Sequence, residues 1–191
     1  MRRPALALAA LLLGAGVARA GQITVNFNPK ANFKNYNTWD WIPDRDQGHN
    51  GVLADATMRA RVEHAIAVRL KTAGLVPVTG DAKPDLLVRY LGDIGSGKEI
   101  TTSLGSVMHF ADPEYATLKF TEQDATLMVD LIDASKNVLA WRLYVNESIQ
   151  GPSDESDKFA KAMDKGFAKY PPSAAEVARK AKDLERTSGA K

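Results

Sequence analysis

The spacing of apolar positions changes several times along the chain, and each change predicts an element. Gln22 to Asn28 alternates ahead of Pro29 and predicts an opening strand. Tyr36 to Trp41 is rich in aromatic and β-favouring residues and is stopped by Pro43, predicting a second strand. A polar, turn-rich loop follows over 44–51. The period then lengthens: Met58, Val62, Ile66 and Leu70 recur at helical spacing, with Leu53 and Ala73 extending the stripe. Gly74 stands where a helix ends, so the spacing predicts an amphipathic helix over 52–73.

Residues 75–78 and 84–91 return to strand patterns. Residues 92–122 hold scattered Gly, Ser and Thr without a steady period and predict a long excursion. Leu127, Val129 and Leu131 alternate on one side of a turn at 133–137, and Leu139, Trp141, Leu143 and Val145 alternate on the other. With Ser135 at the centre, Leu131 faces Leu139, Val129 faces Trp141 and Leu127 faces Leu143. The opposite, polar face carries Thr126, Met128, Asp130, Arg142 and Tyr144, with Asp130 and Arg142 as diagonal neighbours. A second helix is predicted over 154–169 from Phe159, Met163, Gly166 and Phe167, closed by Pro171 and Pro172. Ser173 and Glu176 have capping-box spacing at the start of 173–191, read as a charged tail or a short helix. Two amphipathic helices each need one apolar face covered. The fold class that follows is α+β, a two-layer domain with a mainly antiparallel sheet packed against both.

The N-terminus changes how the charge is read. Arg2 and Arg3 precede an apolar run from Ala5 to Val17, and Ala18-Arg19-Ala20 has the small-x-small form of a cleavage site. The run is too short to span a bilayer, so residues 1–20 are expected to be a signal peptide, with a single domain over 21–172. Of 25 basic residues, three lie in that leader, which leaves 22 against 23 acidic ones. A near-neutral domain without a basic run argues against nucleic acid. The cysteine count is 0, so there is no disulfide, no thiolate chemistry and no cysteine to lipidate. The expected location is the periplasm or the exterior.

Several segments together carry a resemblance. They are Asn32 to Pro43 with its Tyr36-Asn37-Thr38-Trp39-Asp40-Trp41, Lys83 to Tyr90, Ala125 to Ala134, Leu139 to Arg142, and Lys169-Tyr170-Pro171-Pro172. In order and spacing the chain resembles the DUF4136 family, bacterial envelope domains of undefined activity. The resemblance implies an α+β fold and an envelope location, and it transfers no catalytic residue. Where lipid-anchored relatives carry a cysteine this chain has none, and Ala125 stands where the pattern has glycine.

The chemistry-bearing motifs each lack a part. Gly92 to Lys98 has phosphate-loop spacing, but Glu99 replaces the hydroxyl residue that holds magnesium, so no nucleotide is expected. Asp44, Asp46, Asn50 and Asp55 sketch a calcium loop, but Gly48 and His49 occupy the wrong positions. His49, His64 and His109 are scattered without ligand spacing, so no metal is expected. Ser103, Ser106 and His109 lack a nucleophile elbow, and no catalytic residue is assigned. Trp39 and Trp41 share a strand face on which a sugar ring can stack, or else they belong to the core.

The candidate binding residues are therefore Arg89, Asp130, Arg142 and Tyr144 on the open sheet face and Ser103 in the excursion. The function they suggest is a non-catalytic module contacting an envelope protein or another envelope component, without cofactor or membrane span. The alternative is a carrier of a lipid or glycan, or a hydrolase, with a cavity between sheet and helices.

Overall fold

The computed structural model describes residues 22–43, 53, 55–94, 125–146 and 155–188. The expected signal segment, the polar loop at 44–51, Ser103, Ser106, His49 and His109 lie outside these residues. Among the described residues six strands and three helices form an α+β fold. The strands are β1 (Gln22–Phe27), β2 (Thr38–Trp41), β3 (Val76–Pro77), β4 (Leu86–Ile94), β5 (Ala125–Asp133) and β6 (Val138–Asn146). The helices are α1 (Ala56–Thr72), α2 (Glu155–Phe167) and α3 (Ala174–Ser188), with a 3-10 turn at Phe33–Asn35.

The strands form one mixed sheet in the order β1-β6-β5-β4-β2-β3. The pairings β1–β6, β6–β5 and β5–β4 are antiparallel, while β2 runs parallel to both β4 and β3. Helix α1 begins later than its apolar stripe suggests because the Asp55 side chain accepts from the Met58 amide and caps it there. It ends as expected. Gly74 takes a positive φ of 86°, and the amides of Gly74 and Leu75 donate to the carbonyls of Lys71 and Leu70. Val62, Ile66 and Leu70 are the fully buried residues of this helix, as their spacing predicts. They join Val88, Tyr90, Val129, Leu131, Trp141 and Leu143 from the sheet and Met163 and Phe167 from α2 in one core.

Two expectations need correction. Strand β4 does not stop at Leu91 but runs to Ile94, so the Gly-rich stretch begins inside the sheet. Gly92 belongs there because a Cβ at that position would lie 2.4 Å from Leu53 Cδ1, a residue with no exposure. Of the two readings of the segment after Ser173, the structure shows the helix, 15 residues long. Its capping box is complete: Ser173 N and Oγ donate to Glu176 Oε2 at 2.9 and 2.6 Å, and the Glu176 amide returns a bond to Ser173 Oγ.

Second, the hairpin register differs. Leu131 pairs with Trp141, Val129 with Leu143 and Leu127 with Val145. The turn spans 134–137, with Asn137 at φ 54° and the Asp133 carboxylate accepting from the Ser135 and Lys136 amides. A bulge lies between the Leu131 and Ile132 pairings, since Ile132 pairs with Leu139 and leaves Ala140 extra. The bulge moves Leu139 off the Trp141 face into a small second cluster with Ile42, Ile132 and Leu87.

Candidate functional site

The strand pairings bring three of the candidate residues into one row. Arg89 on β4 lies opposite Asp130 on β5, and Asp130 lies opposite Arg142 on β6. Asp130 and Arg142 are thus direct neighbours, not diagonal ones. Successive side chains on a strand alternate between faces, so this row shares the face of Met128, Ile132 and Tyr144, away from the core of Trp141 and Val129. Tyr144 follows Arg142 by two positions and joins the row.

The row is not an exposed ion pair. Asp130 is 0% exposed, Arg142 5% and Arg89 8%, and Met128 and Tyr144 beside them are buried too. Arg142 grips the carboxylate with two atoms: Nε donates to Asp130 Oδ1 at 2.5 Å and Nη2 to Oδ2 at 2.8 Å. Its Nη1 reaches the Tyr144 hydroxyl at 3.3 Å. Arg89 makes one contact, from Nη2 to Asp130 Oδ2 at 2.5 Å. Its Nε is buried and has no hydrogen-bond partner among the described residues.

Charges decide the electrostatics here. Burial pushes the Asp130 carboxyl up, but the Arg142 and Arg89 guanidiniums and their hydrogen bonds outweigh it and hold the group below the ordinary carboxylate range. Burial pulls on Arg142 in the opposite sense, and the Asp130 charge prevails, so its affinity for a proton rises. Asp130 and Arg142 therefore hold their charges at neutral pH, and both guanidiniums contact the one carboxylate. The chemistry available to such a row is recognition of an acceptor. Guanidinium supplies only donors, and neither it nor an ion-paired carboxylate is a poised acid, base or nucleophile.

Motif residues at the hairpin-turn end of the sheet hold that end in place, a role the pattern of apolar positions does not reveal. The Asp85 carboxylate accepts from the Asn37 amide, the Thr38 amide and the Thr38 hydroxyl, each at 2.9 Å, and the Asp85 amide donates to Thr38 Oγ1. This clamp ties the start of β2 to the start of β4. The Tyr36 hydroxyl donates to Asp133 Oδ2 at 2.9 Å, and Tyr170 packs edge-on against Phe33 and Trp141. Asp85 and Asp133 are visible in the sequence only as acidic residues flanking strands, where side-chain-to-amide turns are frequent.

Trp39 is buried in the helix-side core and packs edge-to-face on Trp41 at 5.2 Å, which assigns it to the interior. His64 is exposed on α1. Among the described residues, no helix is long and apolar enough to cross a membrane.

The fold and this row define the class: an α+β domain with a buried, charge-paired stripe across three strands. Residues 23–172 match the family model described as a domain of unknown function, DUF4136, and the chain belongs to that family. Among solved structures it is similar to a DUF4136 family protein from Bacteroides thetaiotaomicron, with 15% identity over 80% of this chain and 96% of that one and a TM-score of 0.53. It also matches a PelC dodecamer from Paraburkholderia phytofirmans at 10% identity, over 77% of this chain and 94% of that one, with a TM-score of 0.44. A PDZ domain protein from Parabacteroides distasonis matches at 18% identity over 81% of this chain but 37% of that one, with a TM-score of 0.40. None of the curated proteins compared matches the chain.

Proposed function

We propose that this chain is an exported, non-catalytic binding domain of the bacterial cell envelope, and that the sheet face held together by the buried Arg89–Asp130–Arg142–Tyr144 row carries its recognition surface. The observation that carries the reading is the row itself, two guanidiniums on one buried carboxylate. A row kept only for stability is poorly suited to its place, because hydrophobic residues of similar volume hold a sheet face as well or better. Export is supported by the charged start and the small-x-small end of the first twenty residues. The architecture we propose is two-layered, with the mainly antiparallel sheet carrying α1 and α2 on the Trp141 side and the charged row on the other.

Photo-crosslinking in living cells tests the reading. Probes go at Leu87, half-buried on the face of the row, and at Ser103, with a control at Lys136 in the hairpin turn. A discrete adduct at Leu87 or Ser103 that is absent at Lys136 is the expected result. Adducts at neither position, or equally at all three, would remove the recognition surface from this part of the molecule.

A further inference from the structure

We infer that β1 is a self-association edge: two copies of this chain join antiparallel through Ile23 and Val25, about a two-fold axis that passes between their Thr24 residues. The inference goes beyond the reading of the charged row and does not depend on it.

The direction of the backbone groups comes first. Strand β1 ends the sheet on one side. One step beyond the Phe27–Trp141 pair, the Asn28 amide donates to the Ala140 carbonyl at 2.9 Å. Backbone pairs alternate along an antiparallel ladder, so Thr24 and Asn26 also turn their backbone groups toward β6. The amides and carbonyls of Ile23, Val25 and Phe27 therefore point away from it. At Phe27 both are taken: the amide donates to Asn26 Oδ1 at 2.8 Å, and the carbonyl accepts from Lys180 Nζ on α3 at 2.6 Å. Among the described residues no strand lies outside Ile23 and Val25.

The two ends of the sheet differ in how they meet solvent. Strand β3 is two residues long and ends in Pro77, which has no amide to offer. Shortness and proline are common means of keeping sheets from joining. Strand β1 is six residues long, Gln-Ile-Thr-Val-Asn-Phe, with neither a proline nor a charge. One open edge per molecule leads to a closed pair and not to a fibre.

An open edge accepts any extended backbone, and the side chains are what favour a second copy. The two-fold register sets Ile23 against Val25 of the second copy, and Val25 against its Ile23, with amide and carbonyl exchanged at each pair. Both residues are half-buried against the helix-side core, so the pairing carries that apolar face from one molecule to the next. Thr24, on the other face, meets Thr24, whose hydroxyl both donates and accepts. No charge faces a like charge. Lys180 holds the Phe27 carbonyl, so the joined ladder stays short, and a short interface predicts a reversible dimer.

Sedimentation velocity of the purified protein from micromolar to millimolar concentration tests the dimer, and a shift from monomer to dimer is expected. Thr24→Lys and Thr24→Glu each set like charges face to face at the axis, and each should weaken association about tenfold or more. An equal mixture of the two variants should restore it, a recovery that misfolded proteins could not give. The chain has no cysteine, so Thr24→Cys supplies a single thiol. At a directly opposed pair that shares no backbone hydrogen bond the Cα atoms stand about 4.5 Å apart, within disulfide reach. Air oxidation should therefore link Thr24→Cys into a dimer far faster than Lys136→Cys, whose thiol lies in the exposed hairpin turn.

A monomer at every concentration overturns the inference. So does a mixture no more associated than its components, or equal linking by the two cysteines. Linking of Thr24→Cys to a different protein in cells, with no self-linked product, gives the edge to another chain and likewise overturns the second copy. None of these results turns on crosslinking at Leu87, so either reading can fail while the other stands.

Discussion

Replacing Asp130 by Asn tests the charge arithmetic of the row most directly. The two side chains have nearly the same shape, so packing is preserved and only the charge and one acceptor are lost. Asp130 takes all three guanidinium contacts, two from Arg142 and one from Arg89, and none of its surface reaches solvent. The amide keeps one carbonyl oxygen but turns an NH2 toward a guanidinium donor, and it leaves two buried cations facing each other. Removing one partner of a buried pair costs about 3–5 kcal/mol. For a domain of this size the lower figure corresponds to a melting point lowered by about 6–12 °C.

Arg89→Met should behave in the opposite way. It removes one contact, but it also removes the excess charge and the unpartnered Nε, so the change should stay within about 1 kcal/mol in either direction. Arg142→Met falls between the two, because it strips two of the three contacts from Asp130 but leaves Arg89 as a counter-charge. Urea unfolding at neutral pH, with the slope checked for constancy, gives all three values. A loss below about 1 kcal/mol for Asp130→Asn would refute the reasoning. So would an Arg89→Met variant as unstable as Asp130→Asn.

Three further outcomes are expected. In Gly166→Ala the new Cβ would lie 2.4 Å from Leu143 Cδ1, inside the core, so overpacking of about 1–3 kcal/mol should exceed the gain of about 1 kcal/mol in helix propensity. Measured by urea midpoint, the loss should shrink in a Leu143→Ala background. Asp85→Ala releases the Asn37 and Thr38 amides and should cost about 1–3 kcal/mol at neutral pH. The Asn37 amide foremost holds the Asp85 carboxyl below its usual value, so this contribution is present above the ordinary carboxylate pKa. It is lost in stronger acid, where the variant and the wild type should converge. Lys180 on α3 reaches the Phe27 carbonyl at 2.6 Å and sits 4.6 Å from the centre of the Phe27 ring. Burial pushes its amino group down to about 8 from 10.5. Between those values the undocked lysine binds a proton that the docked one does not, so docking of α3 should strengthen as pH rises through that window. The melting-point difference between wild type and Lys180→Met should therefore grow from pH 8 upward, and a flat difference would contradict it.

The hairpin separates what alternation can decide from what it cannot. Alternation assigns Leu127, Val129 and Leu131 to one face and Trp141, Leu143 and Val145 to the same core, and the structure agrees. It cannot choose the loop length, because turns centred on Ser135 and turns spanning 134–137 preserve the same faces beyond the bulge. The choice is made by a carboxylate and a left-handed residue: Asp133 collects the Ser135 and Lys136 amides, and Asn137 adopts φ 54°. Leu139 then lands on the opposite face from Trp141, which no count of alternate positions shows. Gly92 misleads for a related reason. Glycine commonly marks a loop, but here it marks the place in a strand where Leu53, far away in sequence, leaves no room for a Cβ.

The charged row was legible in its members but not in its burial. An Asp and an Arg on neighbouring strands suggest an exposed pair, and the pairing of β4 with β5 that adds Arg89 spans 41 residues of sequence. Yet the sequence around Asp130 holds a sharper signal than its charge. Leu127 to Ile132 reads Leu-Met-Val-Asp-Leu-Ile, apolar on both faces of a strand except for one carboxylate. A strand with one face in water alternates, and a strand covered on both faces does not. A lone carboxylate in such a run is placed where water cannot neutralise it, so a cation must reach it from an adjacent strand. Arg142 meets that requirement with two contacts, and Arg89 on β4 adds a third.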